Sequence, residues 1–378
     1  MIRSTVAHVD LAALQANFRA IRTFLSTGGT GTAAPGIIAV VKANAYGHGS
    51  QRVALALEEA GATMLAVADI EEAIVLRRGG VRVPILIFGA LSVSDLEGLF
   101  EFSLTPTIST PSTARAVQAA AARQKTTLAY HLKIDTGMNR LGFRHDNVGR
   151  TLPELLASPN LRLDAVYTHF ASADVPDSTL LDEQRVRYER VLTEIARMGG
   201  RPRLRHAANS AALLRDARVW YDTVRPGLLL YGIVPPPLAS TIPLQPVMSL
   251  TSRVVAVKGL RPGEGTGYGW RFQADEPRTI AVVPAGYADG VDTRMSGRGS
   301  VLIRGRRVPI VGAVSMDMIT VDVTGLDVVE PGDEVVILGR QGDETWQQID
   351  AREVAAAIGT IPWEIVCRLG TRIERQYD

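Results

Sequence analysis

Lys42 stands where a buried strand should end. In "IIAVVKANAYGHGS", residues 37–50, the apolar run from Ile37 to Val41 meets a lysine and then turns polar and glycine-rich. A run apolar at every position reads as a strand covered on both faces, as in a parallel sheet. Burying an ammonium without a partner is costly, so Lys42 either reaches out at the strand end or uses its amine. Polar groups close other apolar runs in the same way: Lys133, His169, "HAANS" (His206 to Ser210) and "VRPG" (Val224 to Gly227), with Tyr46 and Arg140 a few residues beyond such ends. The set is rich in Lys, Arg, His and Tyr and poor in acids, which argues against a hydrolase built on paired carboxylates.

These residues need elements to hold them. Short apolar runs alternate with helical patterns over residues 37–230, and the predicted strands are 37–42, 64–69, 84–89, 104–109, 128–135, 164–169, 203–208 and 221–227. Between them, Val53, Leu57 and Ala60 share one helical face after Ser50, a candidate N-cap. Tyr188, Val191, Leu192 and Ile195 repeat at helical spacing before Gly199-Gly200. Eight strands alternating with helices fit an α/β fold of the TIM type, a (β/α)8 barrel, over residues 10–240. An open doubly wound sheet is disfavoured because no GxGxxG comes after the first strand. After "IPLQPV" the pattern becomes mostly β, with strands expected at 250–258, 278–283, 300–303, 308–311, 319–323 and 334–338. One helix is signalled there by Asp350 and Glu353, at capping-box spacing.

Composition narrows the class further. The chain has 378 residues, 41 basic and 39 acidic, for a net charge of +2. That balance carries no footprint for nucleic acid or an anionic membrane. The one cysteine, Cys367, allows no internal disulfide and is expected to be a packed thiol in a reducing, cytoplasmic setting. No signal peptide or membrane span is expected, and the six histidines show no metal-ligand spacing.

In a (β/α)8 barrel, active sites lie at the C-terminal ends of the strands, and the loops after strands seven and eight often bind phosphate. Asn209-Ser210 opening a helix and Gly227 after the last strand offer a hydroxyl, backbone amides and a glycine. An amine on strand one facing such a cradle suits a phosphorylated aldehyde, and pyridoxal phosphate bonded to Lys42 as a Schiff base satisfies both.

"AVVKANAYGHG" resembles the cofactor-lysine signature of alanine racemases. "KIDTGMNRLGF", "THF", "HAANSAA", "VRPGLLLYG", "GTGYGW", "VPAGYADG" and "VGAVSMDM" occur in that family's order, so the likeness spans nearly the whole chain. The resemblance implies an N-terminal barrel and then a β domain of residues 241–378 plus 1–9, with a strand over residues 4–9. It implies a homodimer with shared active sites, in which Tyr268, Met316 and Asp317 of one chain complete the site of the other. The implied reaction is interconversion of L- and D-alanine, a peptidoglycan precursor, by two bases on a pyridoxal-phosphate aldimine. Lys42 would serve the D face and Tyr268 the L face. His169 and Arg225 are the cations that would make Tyr268 a workable base.

By the same resemblance Tyr46, Ser210, Gly227 and the amide of Leu228 hold the phosphate, and Arg140 and Met316 hold the substrate carboxylate. Lys133 is often carbamylated in the family, which would make it an anion able to fix Arg140. Arg225 can only donate to the pyridine nitrogen, which weakens the electron sink and suppresses side reactions. It also counts against a decarboxylase, which keeps an acid there. Non-catalytic pyridoxal-phosphate carriers resemble the barrel alone, whereas this chain retains the second domain and Tyr268. Racemases for serine, basic or broad-range amino acids are the alternatives; alanine is the expected substrate. Two departures from the family pattern are Thr371, where some members place a phosphate-contacting tyrosine, and Arg294, displaced by one residue.

Overall fold

A computed structural model describes residues 4–28, 34–89, 91, 96–342 and 346–378. Residues 1–3 of the segment expected to join the second domain lie outside that range. Two compact units emerge: Leu14–Ala45 with Ser50–Gln245, and the chain up to Ala13 with Tyr46–Gly49 and Pro246–Asp378. Tyr46–Gly49 thus belongs with the second unit although it lies only a few residues beyond Lys42. No helix among the described residues is long and apolar enough to cross a membrane.

The first unit is a closed barrel of eight parallel strands: Gly36–Val40, Met64–Val67, Ile85–Ile87, Thr105–Ile108, Leu128–Asp135, Leu161–Tyr167, Leu204–His206 and Thr223–Val224. Closure is made by Thr223 pairing with Gly36, and the circuit continues through Thr107 opposite His131. Every strand is where an apolar run predicted it, though most are shorter at their C-terminal ends. Leu57, Leu65, Ile85, Leu132, Ala165, Tyr188 and Val224 are fully buried, so the apolar runs do form the core.

The second unit is built on a sheet of ten strands. Val6–Val9 lies between Met248–Arg253, antiparallel, and Glu374–Tyr377, parallel. The run expected as one strand over 250–258 is two, Met248–Arg253 and Ala256–Leu260. The break falls at Val254 and Val255, whose amides bond to Asp333 and Val282 on different neighbours. Asp350 caps the helix Ala351–Ile358 by accepting from the Glu353 amide, and a further helix, Pro362–Cys367, comes next. It escaped notice because six residues are too few to show a period. Cys367, expected as a packed thiol, is exposed: it ends that helix one position after the buried Val366.

Candidate active site

The strand Gly36–Val40 ends two residues before Lys42, and just past the lysine the chain enters a left-handed turn. Ala43, Asn44, Ala45 and Tyr46 all have φ between 51° and 55°. For L residues this costs roughly 1–2 kcal/mol each, on the order of 4–8 kcal/mol for the run, so the surroundings must hold it. Three bonds do: Ala45 N–H to Val41 O at 2.9 Å, Ala43 N–H to a Glu72 carboxylate oxygen at 2.6 Å, and Ser50 N–H to Asn44 Oδ1 at 2.8 Å. The helix therefore begins at Ser50, and Asn44 rather than the Ser50 side chain satisfies its first amide.

Just past the neighbouring strand Thr223–Val224, Arg225 is 3% exposed and its guanidinium is held from several sides. Nη2 donates to the carbonyls of Thr168 and Ala207, each at 2.9 Å, and lies 3.4 Å from His169 Nδ1. Nη1 donates to His206 Nδ1 at 2.8 Å. An arginine can only donate, so His206 accepts on Nδ1 and carries its proton on Nε2. That proton goes to His131 Nδ1 at 3.0 Å, which places the His131 proton on Nε2, 3.8 Å from Asp164 Oδ2. Both imidazoles are neutral: burial pushes His206 well below its usual value, and burial takes His131 down to about 4. Tyr167 stacks on His206 with ring centroids 4.7 Å apart, and Arg225 lies 5.2 Å over the same tyrosine ring. Sequence reasoning found Arg225 but missed His131 and Tyr167; strand alternation would have put both inside the barrel.

Lys133, Arg140 and His169 line one pocket, together with Ile134, Asp135, Met138 and Leu141. Asp135 shapes the loop by accepting from the amides of Gly137 and Asn139, both at 3.0 Å. Lys133 is 8% exposed and its amine is lowered to about 7, by burial first and then by the charges of Arg225 and Arg140. His169 is pushed well below its usual value, by burial first and then by Lys133, Arg225, Arg140 and Lys42. Four cations thus act on one imidazole, and such a cluster calls for anions.

A phosphate fits the end of strands seven and eight. Asn209 caps the helix Ser210–Arg215 through its side chain, which accepts from Ala212 N–H. Ser210 is 5% exposed, and its Oγ accepts from the Gly227 amide at 3.0 Å and from Leu229 at 3.4 Å. Its hydroxyl hydrogen is therefore left to donate. Among the described residues the Leu228 amide, at the start of a 3-10 turn, meets no acceptor. A hydroxyl and an amide aimed at nothing else are donors an anion would take.

In the second unit, Tyr268 is 77% exposed on a tight turn in which Gly267 and Gly269 take φ of 73° and 67°. Met316 is also exposed, and its carbonyl accepts from the Ala288 amide at 3.1 Å. Arg372 secures that segment: it bonds the fully buried Asp289 through Nε at 2.8 Å, Asp317 at 2.8 Å and the Met316 carbonyl at 3.2 Å. Gly286 is required beside it, because a Cβ there would stand 2.3 Å from the Met316 carbonyl. Arg372 was not singled out from sequence, since one arginine among many carries no signal. Tyr46 is packed against the segment of Val366 and Cys367: a Cβ at Gly47 would meet Val366 O at 2.2 Å, and burial raises the Tyr46 phenol above its usual range. Thr371 is exposed, and Arg294 is engaged with Asp292 at 2.7 Å.

Two sequence profiles match this chain: "Alanine racemase, N-terminal domain" over residues 9–235 and "Alanine racemase, C-terminal domain" over residues 247–377. The chain belongs to the alanine racemase family. It is 41% identical over 377 residues to an alanine racemase of Symbiobacterium thermophilum, covering 100% of this chain and 97% of the relative. The alanine racemase from D-cycloserine-producing Streptomyces lavendulae superposes with a TM-score of 0.93 at 34% identity, covering 100% of this chain and 98% of that one. The alanine racemase of Bartonella henselae, solved with covalently bound pyridoxal phosphate, has a TM-score of 0.87 at 29% identity and 99% coverage of both chains.

Proposed function

We propose that this chain is a pyridoxal-phosphate-dependent racemase that interconverts L- and D-alanine as a homodimer. What supports the reading above all is the cluster at one end of the barrel in which Lys42, Lys133, Arg140 and Arg225 all act on the neutral His169. Lys42 is the cofactor lysine, and Tyr46, the Ser210 hydroxyl, Gly227 and the Leu228 amide hold the phosphate. Pyridoxal phosphate, when bound, supplies an electron sink that acidifies the Cα–H of the amino acid it carries.

The remaining work falls to side chains of the protein. Arg140 and the Met316 amide of the partner subunit orient the substrate carboxylate by fixed donors. Lys42 takes or returns the Cα proton on the D face, and Tyr268 of the partner subunit does so on the L face. In its own chain Tyr268 faces solvent, as a residue acting on another subunit would. Arg225 would face the pyridine nitrogen as a donor, and its bond to His206 keeps the fork from rotating. His169, expected from the sequence to be a cation beside Tyr268, is instead neutral because burial and the surrounding charges disfavour its proton, which leaves Arg225 as the cation of the pair. Lys133 becomes a carbamate that fixes Arg140, with Asp317 supporting Met316 on the partner side. The domain limits are then residues 10–240, which bind the cofactor, and 241–378 with 1–9, which complete the partner's site. A single cysteine and the D-alanine product fit a cytoplasmic enzyme that feeds peptidoglycan synthesis.

Proton NMR of the purified protein with pyridoxal phosphate and L-alanine in D₂O tests the proposal. Loss of the Cα proton with growth of the D enantiomer is expected. Exchange without inversion would remove Tyr268 as the second base, and no exchange would remove the racemase reading. Serine and lysine in the same assay set the substrate range.

A further inference from the structure

The left-handed run after Lys42 is too costly to persist unaided, and one of the groups that hold it is a carboxylate outside the family motif. Glu72 lies in the first turn of the helix Ile70–Arg78, far from the "AVVKANAYGHG" signature. One of its oxygens accepts from the Ala43 amide at 2.6 Å and the other from the Ala68 amide at 2.9 Å. Ala68 lies just beyond the second barrel strand, and its own carbonyl accepts from Gly89 at 2.8 Å beyond the third. Glu72 therefore ties the residue after Lys42 to the framework of the neighbouring strands. On the other flank Val41 N–H bonds Ala66 O at 2.9 Å. Lys42 is pinned on both sides by its neighbours' amides, and only one pin is a side chain.

We infer that Glu72 is a positioning residue for Lys42: its carboxylate holds the strained left-handed turn through the Ala43 amide and so presents the lysine amine to the aldehyde of pyridoxal phosphate. The inference rests on the reading of Lys42 as the cofactor lysine. A carboxylate is needed because both oxygens accept from N–H groups. A glutamine keeps the shape but turns an N–H₂ toward one of two donors. Without the Ala43 anchor, residues 43–46 relax toward right-handed or extended backbone, and Lys42 moves with them.

Two variants of the full chain separate this from ordinary helix stability. Glu72→Gln sets an N–H₂ against one of the two amide donors and so breaks the two-sided clamp, whereas Asp69→Ala removes the side-chain cap that Asp69 gives the same helix through the Glu72 amide at 2.8 Å. Each protein is titrated with pyridoxal phosphate, reduced with borohydride, and the fraction of Lys42 modified is read by peptide mass spectrometry. Loss of one charge-assisted bond weakens loading by about tenfold or more in Glu72→Gln. Asp69→Ala should lower the melting temperature and load like the unaltered chain. In the cofactor-free chain, amide hydrogen exchange at Ala45 reports the turn directly, through its bond to Val41. Protection is expected in the unaltered protein and its loss in Glu72→Gln.

Equal loading of Glu72→Gln and the unaltered chain, or equal impairment in Asp69→Ala, would overturn the clamp. So would an unprotected Ala45 amide in the unaltered chain while the barrel strands stay protected, a measurement that needs no variant. Failure of the unaltered chain to load at Lys42 would instead overturn the cofactor reading itself.

Discussion

Carbon dioxide should convert Lys133 to a carbamate at mildly alkaline pH, and the reason lies in its surroundings. The neutral amine is the nucleophile: it forms a C–N bond to CO₂ and releases a proton to solvent. With a pKa of about 7, roughly 90% of Lys133 is neutral at pH 8, against about 0.4% for an unperturbed lysine near 10.4, a gain of about 200-fold. Burial and the charges of Arg225 and Arg140 produce that shift, and those same charges would then stabilise the anion. Growth in ¹³C-bicarbonate at pH 8 and then ¹³C NMR of the intact protein should show one carbamate carbon, absent in Lys133→Ala. Free Lys133 also makes a pH prediction. Its folded pKa lies below the unfolded one, so between about 7 and 10.5 the unfolded chain holds more protons. Its contribution to stability is then full above that window, falls as pH drops through it, and is flat below. A carbamate carbon that is missing under saturating bicarbonate, with Lys133 titrating at its ordinary value, would refute the reasoning.

Tyr268→Phe should cripple proton abstraction from L-alanine far more than from D-alanine; equal small losses in both directions, read by deuterium exchange, would sink the two-base assignment. Arg225→Lys cannot span His206 Nδ1 and the carbonyls of Thr168 and Ala207 with one ammonium, and each acceptor left alone costs about 1–3 kcal/mol, visible as a lower urea midpoint. Arg372→Ala would leave the buried Asp289 carboxylate without its partner and release the Met316 segment. Lower thermal stability and a higher KM for alanine with kcat less affected are expected, and an unchanged KM would separate Arg372 from substrate binding.

The barrel was legible because it is written as a repeated unit. Eight runs such as 37–41, 85–87 and 128–135 are largely apolar, and burial on both faces is the reading they favour. Strand-end residues could be named for the same reason, since a polar group closing such a run has to face the site. The splitting of 250–258 was not legible, because Val254 and Val255 have strand propensity and only their separate partners in the sheet break the run. Cys367 misled because a thiol is usually packed and six residues do not reveal which side of a helix faces out.

The sequence by itself determined the order of elements, the change from barrel to β-rich chain, and the chemistry available at Lys42, Arg225 and Ser210. Periodicity and residue type are local properties, and each of those conclusions needs nothing more. Only the tertiary structure decided how the groups act on one another. The lowered pKa of Lys133, the neutral state of His169, the single tautomers of His206 and His131, and the grip of Arg372 on Met316 arise from residues far apart in the chain. The left-handed turn after Lys42 belongs with them. "KANAY" contains no glycine to announce positive φ, and it is held by Glu72, 29 residues beyond Ala43. Strain of that kind is invisible to propensity, because what sustains it is supplied by another part of the fold.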